Sequence, residues 1–253
     1  NLNLISCIEL MCIFWIGSIV MRAAGCTIND LWDRNIDKKI SRTKNRPIAN
    51  GEISFLGAFI FLSIMLLIGL ICLFQLNINT WLIALASIPF IIVYPLAKRF
   101  TKWPQVFLGL TFSWAIPTAW SASGSSWEWG VLTMYLATVF WIIGYDTIYG
   151  CQDRNEDEIY GIKNSAVSAK TFLISFIASI YSFATALFII SGIGLNANFF
   201  WYLSVLIVSI HFIFQIYKLK DLSKNIPLNI FKSNRTVGLI LTLGAMGNFI
   251  NLG

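Results

Sequence analysis

The chain contains eight apolar runs, each long enough to cross a bilayer as a helix: 3–25, 54–76, 80–97, 104–121, 127–150, 167–192, 198–217 and 236–252. A spanning helix needs ~20 mainly apolar residues, because no water in the hydrocarbon can satisfy its backbone. The connections alternate between long and short. The long ones are 26–53, 98–103, 151–166 and 218–235; the short ones are 77–79, 122–126 and 193–197. This pattern predicts an all-α polytopic transmembrane bundle. Hydrophobic residues make up 57% of the chain and charged residues 12%, against about 25% charged in soluble domains. A soluble globule, a disordered chain and a nucleic-acid-binding domain are all poor fits.

Where the charges lie matters more than how many there are. All 18 Lys and Arg residues lie in or beside the long connections, and the short ones carry none. The positive-inside rule makes the long connections cytoplasmic. The net charge of +6 therefore reads as membrane orientation rather than as nucleic-acid affinity. Arg22 falls in the second half of the first run, which argues against a signal peptide. With the long loops inside, both Asn1 and Gly253 fall on the outer side, and one further helix is expected before Asn1. The five cysteines (7, 12, 26, 72 and 151) are scattered without metal-ligand spacing, so neither a disulfide framework nor a zinc site is expected. No second domain or linker is visible: residues 1–253 read as a single domain.

Two acidic segments stand out. The first reads Asn29-Asp30-Leu-Trp-Asp33-Arg-Asn-Ile-Asp37, and the second reads Tyr149-Gly-Cys-Gln-Asp153-Arg-Asn-Glu-Asp157. Both place side chains at i, i+4 and i+8, which share one face of a helix. Asp146 precedes Tyr149 by one turn. Asp33 and Asp153 lie four helices apart, which suggests a pseudo-repeat of four-helix units whose ladders can face each other. Like charges one turn apart are unfavourable, and a divalent cation removes that repulsion. Hard carboxylate oxygens suit Mg²⁺, which typically binds through a few carboxylates together with substrate phosphates. A phosphate or diphosphate substrate is implied. Glu156 and Glu158 read instead as solvated loop charges.

Arg42 and Arg46 follow the first ladder and Lys163 the second, while Lys98 and Arg99 close the third run and Lys102 follows it. Arg grips phosphate or carboxylate through two parallel hydrogen bonds, and Lys acts as a point charge. Taken singly, each fits a positive-inside anchor as well as a ligand. Arg22 is a functional candidate because charge at membrane depth is costly, with snorkelling as its alternative. Most of the 20 Phe and 10 Trp read as packing and interface belts, and His211 as a packed neutral histidine. Pro89, Pro95, Pro104 and Pro117 are expected to kink or end the third and fourth spans.

The residues Asn29-xxx-Asp33-xxx-Asp37 with Arg42-Thr-x-x-Arg46-Pro47 resemble the first signature of the UbiA superfamily of intramembrane prenyltransferases. Tyr149-xxx-Asp153-xxx-Asp157 with Gly161-x-Lys163 resembles the second. Three stretches, Met21–Asp30, Tyr94–Gln105 and Tyr145–Tyr149, are most similar to the branch that prenylates 4-hydroxybenzoate. The resemblance runs along nearly the whole chain, to Asn234…Val237-Gly238. It implies nine membrane helices, of which this chain carries the last eight. It also implies Mg²⁺ held by Asn29, Asp33, Asp37, Asp153 and Asp157. The residues implied at the diphosphate and substrate are Arg22, Asn29, Arg42, Arg46, Lys98, Asp146, Tyr149 and Lys163. Asp33, Asp37, Asp153, Asp157 and Arg99 are implied to be catalytic, with Arg22 or Arg99 at the benzoate carboxylate.

The implied reaction belongs to ubiquinone biosynthesis. A polyprenyl diphosphate donor ionises, and the ring carbon ortho to the 4-hydroxybenzoate hydroxyl captures the prenyl cation. The implied partners are these two substrates and membrane lipid, with no nucleic acid. The implied location is the bacterial inner membrane with its site at the cytoplasmic face, or the mitochondrial inner membrane in a eukaryote. Other acceptors within the superfamily (a menaquinone precursor, homogentisate, protohaem) remain open, and so does a transporter. Transporters place ionisable sites near the midplane, whereas these ladders lie at helix ends.

Overall fold

The structure, a computed structural model, describes residues 4–221 and 225–249. Lys224 and the predicted end of the last span fall outside them. Thirteen α-helices follow in order: α1 (Leu4–Asp37), α2 (Pro47–Asn50), α3 (Phe55–Phe74), α4 (Ile78–Leu85), α5 (Ile88–Phe100), α6 (Pro104–Ser113), α7 (Ala115–Ala122), α8 (Trp129–Gly150), α9 (Arg154–Tyr160), α10 (Ser165–Ser168), α11 (Leu173–Gly194), α12 (Phe199–Lys218) and α13 (Ile226–Met246). A 3-10 turn, Gly247–Phe249, closes the described chain. No strand occurs among the described residues.

Six segments of the described residues are long and apolar enough to cross a membrane: Ile5–Asp37, Phe55–Phe74, Ile78–Phe100, Trp129–Gly150, Leu173–Gly194 and Phe199–Lys218. These mark an integral membrane protein, with fewer such segments than the eight apolar runs. The fourth run is divided at Trp114 into α6 and α7. Pro117 explains the division: proline lacks the N–H and its ring crowds the carbonyl four residues back, here that of Ser113. Pro89 acts similarly at the start of α5, just after the interruption that separates it from α4. The last helix begins at Ile226, ten residues before the predicted start, and so carries Lys232 and Arg235.

The first helix departs most from expectation. It continues through the acidic segment to Asp37 instead of ending near residue 25. At 1.5 Å per residue its 34 residues extend ~50 Å, well beyond the ~30 Å hydrocarbon core. Apolar periodicity marks where the membrane ends, and this helix does not stop there.

The chain divides into two compact units. Residues 1–95 and 118–126 form one; residues 96–117 and 127–253 form the other. In the first, α1 packs on α3. Val20 and Ala24 are buried in this unit, as is Ala58 of α3. Gly69 gives Met21 close access, since a Cβ there would stand 2.8 Å from its sulfur. Asn77 caps α4 through the Thr80 amide, and its side-chain amide donates to the Ser121 carbonyl. In the second unit, α8 packs along α11, and α12 and α13 complete the bundle. Its core includes Ile148, Ile177, Tyr181, Phe188, Val208, Phe212 and Val237. Tyr181 stacks on Phe212 with centroids 4.1 Å apart, and its hydroxyl donates to Gln215. His211 contacts Ser233 at 3.0 Å, consistent with a packing role.

At Gly144 of α8, any Cβ would overlap the Tyr181 ring. A Gly144→Leu substitution is therefore expected to destabilise the second unit by at least ~1–3 kcal/mol, the range for overpacking. A clear drop in melting temperature in detergent would show it; an unchanged melting temperature would contradict this packing.

Candidate active site

The first acidic segment ends α1, and the chain then folds back on it. Amide-to-carbonyl bonds from Lys39 to Ile36, Ile40 to Asp37 and Thr43 to Ile40 form consecutive turns. Ile40 and Thr43 are buried, and the Thr43 hydroxyl donates to the Asp37 carbonyl at 3.1 Å. Pro47 opens α2 and holds Arg46 extended (φ −63°, ψ 138°), the conformation favoured before proline. The Arg46 guanidinium consequently returns to the helix it followed. Its Nη1 donates to Asp30 Oδ1 at 2.8 Å and to Asp37 Oδ2 at 2.9 Å.

Within this unit Asp33 and Asp37 are only 1% and 6% exposed. Asn29 and Asp30 are half-buried beside them, Arg42 is exposed, and Arg22 is exposed on α1, about two turns before Asn29. The structure thus brings Asp30, Asp37 and Arg46 together. Asp30, which lies outside the i, i+4, i+8 set, shares the Arg46 guanidinium with Asp37.

The second segment is built differently. Tyr149 and Asp146 lie on α8, which ends at Gly150; Cys151–Asp153 forms a turn, and Asp153 precedes α9 as its N-cap residue. The predicted continuous ladder from Tyr149 to Asp157 is therefore interrupted. Glu156 and Asp157 sit in the first turn of α9, where the helix dipole favours negative charge. Gly161 closes α9 in the left-handed region (φ 67°), which glycine adopts without penalty. That turn sends the chain back so that Asn164 lies against Asp157.

Asp157 is 8% exposed, and its Oδ2 accepts from Asn164 Nδ2 at 2.8 Å. Gln105 of α6 joins the same cluster through Asn164 and Ser165. Lys163 Nζ donates to the Arg99 carbonyl at 3.1 Å, tying the end of α5 to this loop. Lys98 and Lys163 are half-buried and Arg99 exposed. Tyr149 packs against Phe231 of α13, with centroids 4.5 Å apart. Glu158 pairs with Lys170 at 2.6 Å, both side chains about half exposed, as a solvated loop charge should. Burial pushes the Cys151 thiol up to about 11, only partly opposed by Arg154.

Asn164, Gln105 and Phe231 were missed by residue-type reasoning. Gln105 and Asn164 are uncharged and outside any helical repeat, so no pattern marks them. A polar side chain in a Gly161-to-Ser165 loop is an ordinary turn residue until its burial is seen. Among the described residues no three His, Cys, Asp or Glu side chains form a ready-made metal cage. The donors nonetheless suit Mg²⁺ in kind, since this ion keeps several waters and takes one or two carboxylates plus substrate phosphates.

The turn after α1 yields a direct test. Arg46→Ala leaves Asp30 and the buried Asp37 without this shared cation, so the 38–46 turn should open. Amide hydrogen exchange in 38–46 is expected to accelerate at least tenfold; unchanged protection would mean the arginine does not hold the turn. Cys151 gives another test. With its thiol near 11, its maleimide reaction should be slow at pH 8 and accelerate as pH rises toward 11. A rate already at its plateau at pH 8 would contradict the burial.

The sequence matches the UbiA prenyltransferase family over residues 5–234. It is 40% identical over 237 residues to the mitochondrial 4-hydroxybenzoate polyprenyltransferase of Aedes aegypti, covering 92% of this chain and 53% of that one. It is 39% identical over 226 residues to the 4-hydroxybenzoate octaprenyltransferase of Legionella pneumophila, covering 89% and 79%. The chain spans between about half and two-thirds of the mitochondrial relatives it matches. The fold is that of a UbiA homolog from Aeropyrum pernix K1 (TM-score 0.83, 22% identity, covering 99% of this chain and 92% of that one). It also matches a UbiA homolog from Archaeoglobus fulgidus bound to GPP and Mg²⁺ (TM-score 0.74, 18% identity, covering 99% and 90%). Helical architecture, signature segments and sequence relationship agree: the chain belongs to the UbiA prenyltransferase family.

Proposed function

We propose that this chain carries out Mg²⁺-dependent transfer of a polyprenyl group from polyprenyl diphosphate to the carbon ortho to the hydroxyl of 4-hydroxybenzoate, in ubiquinone biosynthesis. The observation that carries this reading is the burial of Asp33, Asp37 and Asp157 in two signature segments, each beginning at the end of a membrane helix. Carboxylates are seldom fully buried unless paired or bound to a metal. The names of the relatives in Aedes and Legionella support the acceptor, and the archaeal homolog bound to GPP and Mg²⁺ supports the donor class and the ion.

In this reading Asn29, Asp33, Asp37, Asp153 and Asp157 hold Mg²⁺, which when bound offsets the charge on the departing diphosphate. Arg42 and Arg46 follow the first segment, Lys163 follows the second and Lys98 lies in the last turn of α5; these neutralise the remaining oxygens. Arg46 already shows how such a charge is held, through two carboxylate contacts. Asp146 and Tyr149 border the second segment, with the Tyr149 ring fixed against Phe231. Arg99 or Arg22 takes the acceptor carboxylate. The prenyl tail stays among apolar helices, while the head remains at the charged face, which the positive-inside rule assigns to the cytoplasm or, in a mitochondrion, the matrix. Electrostatic preorganisation supplies most of the catalysis, and all of chain 1–253 serves as one prenyltransferase domain.

Incubating the full protein with labelled 4-hydroxybenzoate, a polyprenyl diphosphate and Mg²⁺ is expected to give 3-polyprenyl-4-hydroxybenzoate, and EDTA to stop it. Asp33→Ala and Asp153→Ala should each lower turnover by more than about a hundredfold, the scale for losing a main electrostatic contact, with melting behaviour retained. Product formation insensitive to EDTA, or full activity in either variant, would overturn the assignment.

A further inference from the structure

We propose that Gln105 and Asn164 are positioning residues, which fix the Asp157 carboxylate for the divalent cation that accompanies the diphosphate. The inference rests on the proposed function and adds two residues that the acidic signatures do not contain. Three side chains form the cluster: Gln105, Asn164 and Asp157 are 7%, 7% and 8% exposed.

The direction of every bond in the cluster follows from groups that can act in only one way. The Ser165 backbone N–H can only donate, and it does so to Gln105 Oε1 at 3.0 Å. The Ser165 hydroxyl reaches the same oxygen at 2.5 Å. The Gln105 oxygen is thereby fixed, so its Nε2 donates to Asn164 Oδ1 at 3.2 Å. Asn164 Oδ1 also accepts from the Ala166 N–H at 2.9 Å, which caps α10. With that oxygen committed twice, Asn164 Nδ2 faces the two remaining acceptors. It donates to the Gly150 carbonyl at 3.2 Å and to Asp157 Oδ2 at 2.8 Å. Reversing either amide would set N–H against N–H, so the relay has one polarity and it ends on the carboxylate.

The relay joins the start of α6, the end of α8, α9 and the cap of α10. Gly150 makes this possible, because a Cβ there would lie 2.6 Å from Asn164 Oδ1. Such an arrangement exceeds what capping a four-residue helix requires. A Ser or Asp cap would satisfy the Ala166 amide without Gln105 and without contact to Asp157. Groups that orient a ligating carboxylate typically change metal affinity by about 10–100-fold when removed.

The test is a Mn²⁺ titration followed by electron paramagnetic resonance on the full protein with an isoprenyl diphosphate, alongside melting temperatures. Asn164→Ala should weaken Mn²⁺ binding by about tenfold or more, and activity lost at low Mg²⁺ should return as Mg²⁺ is raised. Gln105→Glu keeps an acceptor for both Ser165 bonds but, when ionised, sets an oxygen where the amide donates to Asn164. It should shift Mn²⁺ affinity in the same direction even where its melting temperature falls, and it reports on the relay should Asn164→Ala fold poorly. Unaltered Mn²⁺ affinity in the folded variants, with any loss confined to melting temperature, would overturn the inference alone. A wild-type protein that binds no Mn²⁺ would overturn the proposed function beneath it.

Discussion

A carboxylate buried at the end of a membrane-spanning helix must be held by neighbouring polar groups, or it will protonate or pull its segment into water. Asp33 and Asp37 on α1 and Asp157 on the short helix after α8 are all buried, and the polypeptide around Asp37 and Asp157 is organised by that need. Asp37 is held because Pro47 fixes Arg46 in an extended conformation and the preceding turns carry that guanidinium back to α1. Asp157 is held because Gly161 reverses the chain and places an amide against its oxygen. In one case the partner is a full cation shared with Asp30. In the other it is a neutral amide whose orientation is set by two backbone N–H groups. The same need for partners explains why each signature combines acids with Pro or Gly at fixed spacing.

The two solutions differ in the charge they bring. Arg46 opposes Asp37 with a positive charge. Asn164 contributes no charge and meets the Asp157 carboxylate through a neutral amide. Around both, apolar helices provide length and a hydrocarbon-compatible surface. In the second unit the polar pairs within them (Tyr181 with Gln215 and Trp141 with Asn234) are matched internally, as hydrocarbon demands.

Much of this architecture was legible in the residues. Apolar runs marked the six segments long and apolar enough to cross a membrane, two fewer than the runs themselves. The i, i+4, i+8 spacing located the first ladder on one helical face, where α1 carries it. The second ladder was misread as continuous, since Cys151–Asp153 contains no Pro to mark the break. The extension of α1 to Asp37 escaped notice because hydropathy reports membrane boundaries and not helix ends. Proline chemistry foretold the break near Trp114, but not that it would leave two short helices. Gln105 and Asn164 were silent in sequence because burial, which gives them meaning, arises from segments about sixty residues apart.

The central claim is that these carboxylates hold a divalent cation against a prenyl diphosphate. Pulsed electron–nuclear double resonance on Mn²⁺-loaded protein with a non-ionising prenyl diphosphate analogue tests it directly. The account predicts a ³¹P coupling of directly coordinated diphosphate, lost when Asp33 or Asp157 is replaced by Ala. A Mn²⁺ signal showing coupling to water protons alone, or a ³¹P coupling that survives both replacements, would contradict it.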